Sequence, residues 1–132
     1  MKTNNKGFSL VELIVVIAIM AILAAVAIPT FSAFIGKAQR STDESFLNDI
    51  EYAIELARAE EGGIPDGYTL KVEIEDGLVK TMTLDHATKE DITITEDSLN
   101  GAIDFTHKVK LADDTYTPDT QNAGKWIGAN ED

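Results

Sequence analysis

The chain has 132 residues, 11 bases against 23 acids, a net charge of −12 and no cysteine. The missing thiols exclude a disulfide framework and a thiolate metal site, and the acidic balance argues against binding a phosphate backbone. The charge is uneven: residues 43–132 hold 22 acids against seven bases, a net −15, while residues 1–42 hold one acid against four bases, a net +3. The length suits one small domain plus an appendage.

The first element is apolar. Leu10 to Ile28 is nineteen residues with one charge, Glu12, and every residue from Ile14 to Ile28 is apolar. As a helix this stretch covers about 28 Å, close to the thickness of a bilayer core. A soluble core helix of that length would show a polar stripe, which Glu12 alone cannot make. Two readings share the pattern. One is a membrane anchor that stays in the protein. The other is a secretory signal peptide, with Lys2 and Lys6 as its basic start and Ala25-Val26-Ala27 as its cleavage pattern, releasing a secreted binding module or enzyme after Ala27. Glu12 separates them. A carboxylate at mid-bilayer costs roughly 2.5–3.5 kcal/mol on insertion scales. A disposable leader gains nothing from it, whereas a retained helix can use it once a positive partner arrives.

Lys6-Gly7-Phe8-Ser9-Leu10-Val11-Glu12-Leu13 resembles the amino-terminal signature of type IV prepilins and their relatives, and Pro29 falls where that family usually has proline. The resemblance covers about the first 35 residues, with Ser9 where threonine is more common. It implies a leader peptide over residues 1–7, cleavage between Gly7 and Phe8 by a prepilin peptidase, N-methylation of Phe8 and a hydrophobic assembly helix over residues 8–35. Residues 36–132 would form the pilin globular domain. The implied protein is a structural subunit of a type IV pilus. It would sit in the inner or cytoplasmic membrane as a single-pass protein, pass through a pilus assembly platform and end in an extracellular homopolymer. A type II secretion pseudopilin or a competence pilin is the alternative within the family. In a staggered bundle the Phe8 amine of one subunit would meet Glu12 of the next, a pair that attracts far more in an apolar core than in water. A misaligned subunit would leave Glu12 buried alone. Pro29 cannot donate to the Ala25 carbonyl, so a kink or local unwinding is expected there. Relatives often carry a helix-weakening glycine upstream of this proline; Met20, Ala21 and Ile22 offer none, which argues against extensive unwinding.

Beyond the apolar segment, Phe46, Leu47, Ile50, Ala53, Ile54 and Ala57 recur at three- and four-residue spacing, an amphipathic helix with Asp43, Glu44, Asp49, Glu51, Glu55 and Arg58 mainly on its other faces. Ser41-Thr42-Asp43-Glu44 reads as a capping box opening a fresh helix, with a weak point between Gly36 and Thr42. Gly62-Gly63-Ile64-Pro65 stops it, and Glu60 and Glu61 oppose its dipole.

Strands follow. Residues 68–75 alternate apolar and polar, and Asp76-Gly77 marks a turn. A two-residue turn would pair Val72 with Thr81 and Leu70 with Thr83. A three-residue loop, Glu75-Asp76-Gly77, pairs Ile74 with Leu78, Leu70 with Met82 and Tyr68 with Leu84; it is preferred, with Lys80 its one misfit. Further strands are expected at Ile92–Thr95, from Ile103 to Leu111 and at Lys125–Ile127, with residues 128–132 frayed. The fold class is α+β: a long amino-terminal helix, membrane-spanning and then amphipathic, packed on a small antiparallel sheet.

No catalytic constellation appears: there is no histidine pair, phosphate loop or nucleophile elbow, and no cofactor is implied. His107 reads as a hydrogen-bonded core residue and His86 as isolated in a loop. Asp113, Asp114 and Asp119 put three carboxylates in one expected loop, a weak calcium candidate that lacks EF-hand spacing. A plain acidic loop is the favoured reading. Direct nucleic-acid binding is not expected from the acidic half.

Overall fold

The computed structural model describes residues 7–131. Met1–Lys6, and with them Lys2, Lys6 and most of the expected leader, lie outside the described residues. One helix, α1 (Leu10–Ala57), is followed by five strands: β1 (Tyr68–Glu75), β2 (Leu78–His86), β3 (Ile92–Ile94), β4 (Asp114–Pro118) and β5 (Trp126–Gly128). The sheet is antiparallel, in the order β3-β2-β1-β4-β5. The α+β expectation holds. The chain divides after Ala38 into two compact units.

In the first unit α1 packs against no other element among the described residues. Its large apolar side chains from Leu10 to Ile35 are all exposed, and α1 is long and apolar enough to cross a membrane. Pro29 lies inside α1, which carries on beyond it. The Thr30 hydroxyl donates to the Val26 carbonyl at 3.0 Å, covering one acceptor of the turn that the proline disturbs.

The second unit packs residues 39–57 of α1 on one face of the sheet. Leu47, Ile50 and Ile54 are fully buried against Leu70, Val72, Ile74, Met82, Leu84 and Tyr116. Each such side chain contributes on the order of 1.5–3 kcal/mol on burial. α1 ends at Ala57, a short 3-10 turn (Ala59–Glu61) follows, and Gly62 closes that turn with a left-handed φ of 92° while Gly63 N donates to the Arg58 carbonyl at 2.9 Å.

Several expectations need correction. No fresh helix begins at Thr42; α1 is continuous through Gly36 and Thr42. Asp43 and Glu44 are not on an outer face but buried, at 4% and 5% exposure. The β1–β2 pairing follows neither expected register. Asp76 and Gly77, with φ of 53° and 76°, make a two-residue turn, and Glu75 faces Leu78. A bulge then shifts the ladder between Glu73 and Ile74, so that Leu70 faces Leu84 and Val72 faces Met82. Lys80 is the extra residue. Were it taken into the ladder instead, every side chain of β2 from Thr81 onward would face the wrong side of the sheet.

Residues 103–111 form no strand. The Asp104 carboxylate takes the Thr106 amide at 3.0 Å, a local turn that competes with pairing. Val109 and Leu111 are nonetheless buried, and Val109 N donates to the Gly77 carbonyl at 2.8 Å. His107 is exposed rather than core, its ring 4.8 Å from that of Phe46. His86 ends β2, and its Nδ1 accepts the Thr88 and Lys89 amides, each at 3.1 Å. The acidic loop at 113–119 is largely a strand, β4, lying between β1 and β5.

Residues 128–131 are tied down rather than frayed. The Arg40 guanidinium donates to both Glu131 carboxylate oxygens, at 2.6 and 3.1 Å, and Asn130 donates twice to Asp114, each at 2.9 Å. Trp126, in the edge strand β5, is held by three residues one helical turn apart on α1. Its carbonyl accepts from Arg40 at 2.7 Å, its amide donates to Glu44 at 2.8 Å, and its indole donates to Asn48 at 2.7 Å. Edge-strand groups that no strand can satisfy are thus met by the helix.

Candidate functional site

The amino-terminal site is built on the first turn of α1. Ser9 immediately precedes the helix, and its hydroxyl accepts the Glu12 amide at 3.2 Å while the Glu12 carboxylate accepts the Ser9 amide at 3.0 Å. This is a reciprocal capping box, two orphan amides of the helix start satisfied by two side chains. Reading the sequence missed this cap, although Ser9-Leu10-Val11-Glu12 has the spacing of the motif. Glu12 also places negative charge at the positive end of the helix dipole. Only its Oε2 is engaged, and no lysine or arginine pairs with it among the described residues.

Phe8 is 83% exposed. Gly7 would meet nothing within 4 Å if it carried a Cβ; nothing in the described chain demands glycine there. Gly7, Phe8 and Glu12 therefore form one accessible patch at the head of an uncovered apolar helix. Pro29 lies far along the same helix and takes no part in that patch.

The calcium candidates are not brought together. Asp113 accepts the Asp76 amide at 2.9 Å, Asp114 serves Thr115 and Asn130, and Asp119 accepts Gln121 N and Asn122 Nδ2, each at 2.8 Å. Among the described residues no group of three or more histidine, aspartate or glutamate side chains could hold a metal ion. Asn122 and the Gln121 amide hold the Asp119 carboxyl below the ordinary range.

The other polar centre is Arg40. Besides Glu131 and Trp126, it lies 3.6 Å from Glu44 and its guanidinium stands 5.6 Å from the Tyr116 ring centroid. Glu131 raises the Arg40 pKa, and the hydrogen bonds from Arg40 hold the Glu131 carboxyl below its usual value. Burial pushes the Tyr116 phenol up. Asp43 accepts the Lys110 amide at 2.8 Å. Reading the sequence missed this centre. The signal was present: Asp43, Leu47, Ile50 and Ile54 share one helical stripe, so the stripe begins with an acid.

Residues 2–28 match the family described as the prokaryotic N-terminal methylation motif. The chain is 33% identical over 101 residues to a fimbrial protein of Pseudomonas aeruginosa, covering 76% of this chain and 65% of that one. It is 46% identical over 55 residues to a type IV major fimbrial protein FimA of Dichelobacter nodosus, covering 42% of this chain and 35% of that one. Another FimA of that organism is 29% identical over 126 residues, covering 94% of this chain and 63% of that one. The matches thus span 65% or less of these relatives' own length. No solved structure matches. In its methylation motif and in the matched parts of its sequence the chain is thus similar to type IV fimbrial proteins.

Proposed function

We propose that the chain is a structural, non-enzymatic subunit of a type IV pilus. A prepilin peptidase cuts between Gly7 and Phe8 and the new Phe8 amine is methylated. The subunit waits in the membrane on its single apolar helix, and an assembly platform then stacks it into a surface filament. The observation that carries this reading is the exposed Gly7-Phe8 junction followed by a helix whose large apolar side chains from Leu10 to Ile35 are all uncovered. Such a surface must be covered by lipid or by other copies.

Glu12 fits the scheme in two stages. Before assembly its Oε2 rests on the Ser9 amide within its own chain. In the filament Oε1 takes the Phe8 amine of a neighbour. The pair gains from the low dielectric of the helix bundle, and leaving either charge there alone is strongly unfavourable. The acid thus fixes which stagger between subunits is allowed.

Intact mass of the mature protein tests the reading. A chain beginning at Phe8 with one added methyl is expected. A chain beginning at Ile28 would mean ordinary secretion of a soluble module instead, although α1 is continuous across that point. Glu12→Ala should leave the melting of the domain unchanged and sharply reduce sheared filaments counted by electron microscopy. A normal filament count would sink the stagger argument. A pseudopilin or competence pilin would give the same mass, and visible surface fibres set the pilus apart from the short secretion form.

A further inference from the structure

The distal half of α1 has a second apolar face that the sheet does not cover. Tyr52 and Leu56, four residues apart, are 67% and 63% exposed, while Leu47, Ile50 and Ile54 are buried on the opposite side. Among the described residues of the domain, only Ile127 is another large apolar side chain left so open. Tyr52 and Leu56 line a groove of about 440 Å³, with Ile103 and His107 on the opposite wall. Its rim is acidic, with Asp49 on the helix and Asp104 on the loop. Thr106 holds the Asp104 carboxyl below its ordinary range.

An occupant needs large apolar side chains followed closely by one cation. The chain carries such a segment. Phe31 and Phe34 are 68% and 70% exposed, and Lys37 follows one turn later on α1. Among the described residues before Gln39, Lys37 is the only base. Positions spaced by three along a helix share a face, so the two rings and the ammonium present themselves together.

We infer that this groove seats the Phe31–Lys37 turn of a second copy of the chain, its rings on Tyr52 and Leu56 and its ammonium on the Asp49–Asp104 rim. The inference rests on the fibre reading and deepens it. The contact joins two different surfaces, so it is heterologous. Repeated from copy to copy it builds an open helical array rather than a closed dimer. It therefore adds a second fixed point, far along the helix from Glu12, that sets the offset between neighbours.

The chain has no cysteine, so engineered thiols report cleanly. In filaments of the full chain, Phe34→Cys with Tyr52→Cys should yield on oxidation a ladder of covalent oligomers, while either single variant stops at dimers. Lys37→Cys with Asp104→Cys provides an independent pair. Normal filaments with no ladder from either pair overturn the inference and leave the fibre reading standing. So does rapid maleimide labelling of Tyr52→Cys in the intact filament, which would mean a groove open to solvent. Protection without a ladder assigns the groove to another occupant and also overturns it. If cysteine variants assemble poorly, charge exchange decides: Lys37→Glu and Asp104→Lys should each lower filament yield several-fold, and the double variant should recover it. Failure to recover refutes the pairing. Absence of filaments from the unaltered chain removes both readings.

Discussion

The two halves of α1 are one helix built for two different surroundings. Between Leu10 and Ile35 every large apolar side chain is exposed, whereas between Asp43 and Ile54 a stripe is buried to 7% or less. The acids follow the same division. Asp43 and Glu44 are buried and hydrogen-bonded to the backbone amides of Lys110 and Trp126. Among the described residues the Glu12 carboxylate has only the amide of Ser9, at the start of its own helix. The distal half buries one stripe within its own chain and leaves Tyr52 and Leu56 exposed; the proximal half buries none of its large apolar side chains.

The comparison breaks first at the core. Ile50→Ala should lower domain stability by about 2–5 kcal/mol, read from thermal unfolding of the full chain in detergent. Ile17→Ala, an equal truncation in the proximal half, should not move that transition. A shift from Ile17→Ala would mean that the proximal half takes part in the domain's cooperative unit. Next comes Glu44→Ala, which strands the buried Trp126 amide and should cost on the order of 1–3 kcal/mol. The matching Glu12→Ala change should leave that transition in place and, on the proposed function, lower filament yield alone.

A smaller effect concerns acidity. Because the Glu131 carboxyl is held below its ordinary value by Arg40, its bonds to Arg40 stabilise the fold above the unfolded-state pKa. That contribution is lost as pH falls through the lower, folded value. Glu131→Gln should flatten this acid limb in a midpoint-against-pH series. Glu51 has the opposite sign: burial first, and then Glu55, raise its pKa. Its charge opposes folding at neutral pH, and protonation relieves it as pH falls through the raised value. Glu51→Gln should therefore stabilise slightly at pH 7, on the order of a few tenths of a kcal/mol once solvent screening is allowed for. A loss of stability would reverse that assignment.

How much of this was legible depends on whether the cause was local. The apolar helix, the distal stripe, the stop at Gly62 and the alternation of β1 all follow from neighbours in sequence. The pattern Ser-x-x-Glu shows the limit, because it occurs twice, at Ser9–Glu12 and Ser41–Glu44. At Ser9 the chain enters the helix and the pattern caps it. At Ser41 the helix is already running; Ser41 O accepts the Ser45 hydroxyl at 3.0 Å, and Glu44 turns instead to an amide 82 residues away. Lys80 was visible as a misfit, but whether it sits inside a loop or becomes a bulge depends on which face β2 must present to the core. β4 was hidden because its acids suggest a loop, while its one buried side chain, Tyr116, is fixed by strands on either side. His107 was misplaced for a similar reason. Alternation from Ile103 to Leu111 describes which side chains pack, but Asp104 had already committed the backbone to a turn.

The three helix residues that grip Trp126 have a practical consequence. This is the chain's single tryptophan, and it is 2% exposed. Its emission therefore comes from one place, the seam between the helix and the last strand. Loosening of that seam by force, acid or assembly would send the fluorescence to longer wavelengths without any added dye.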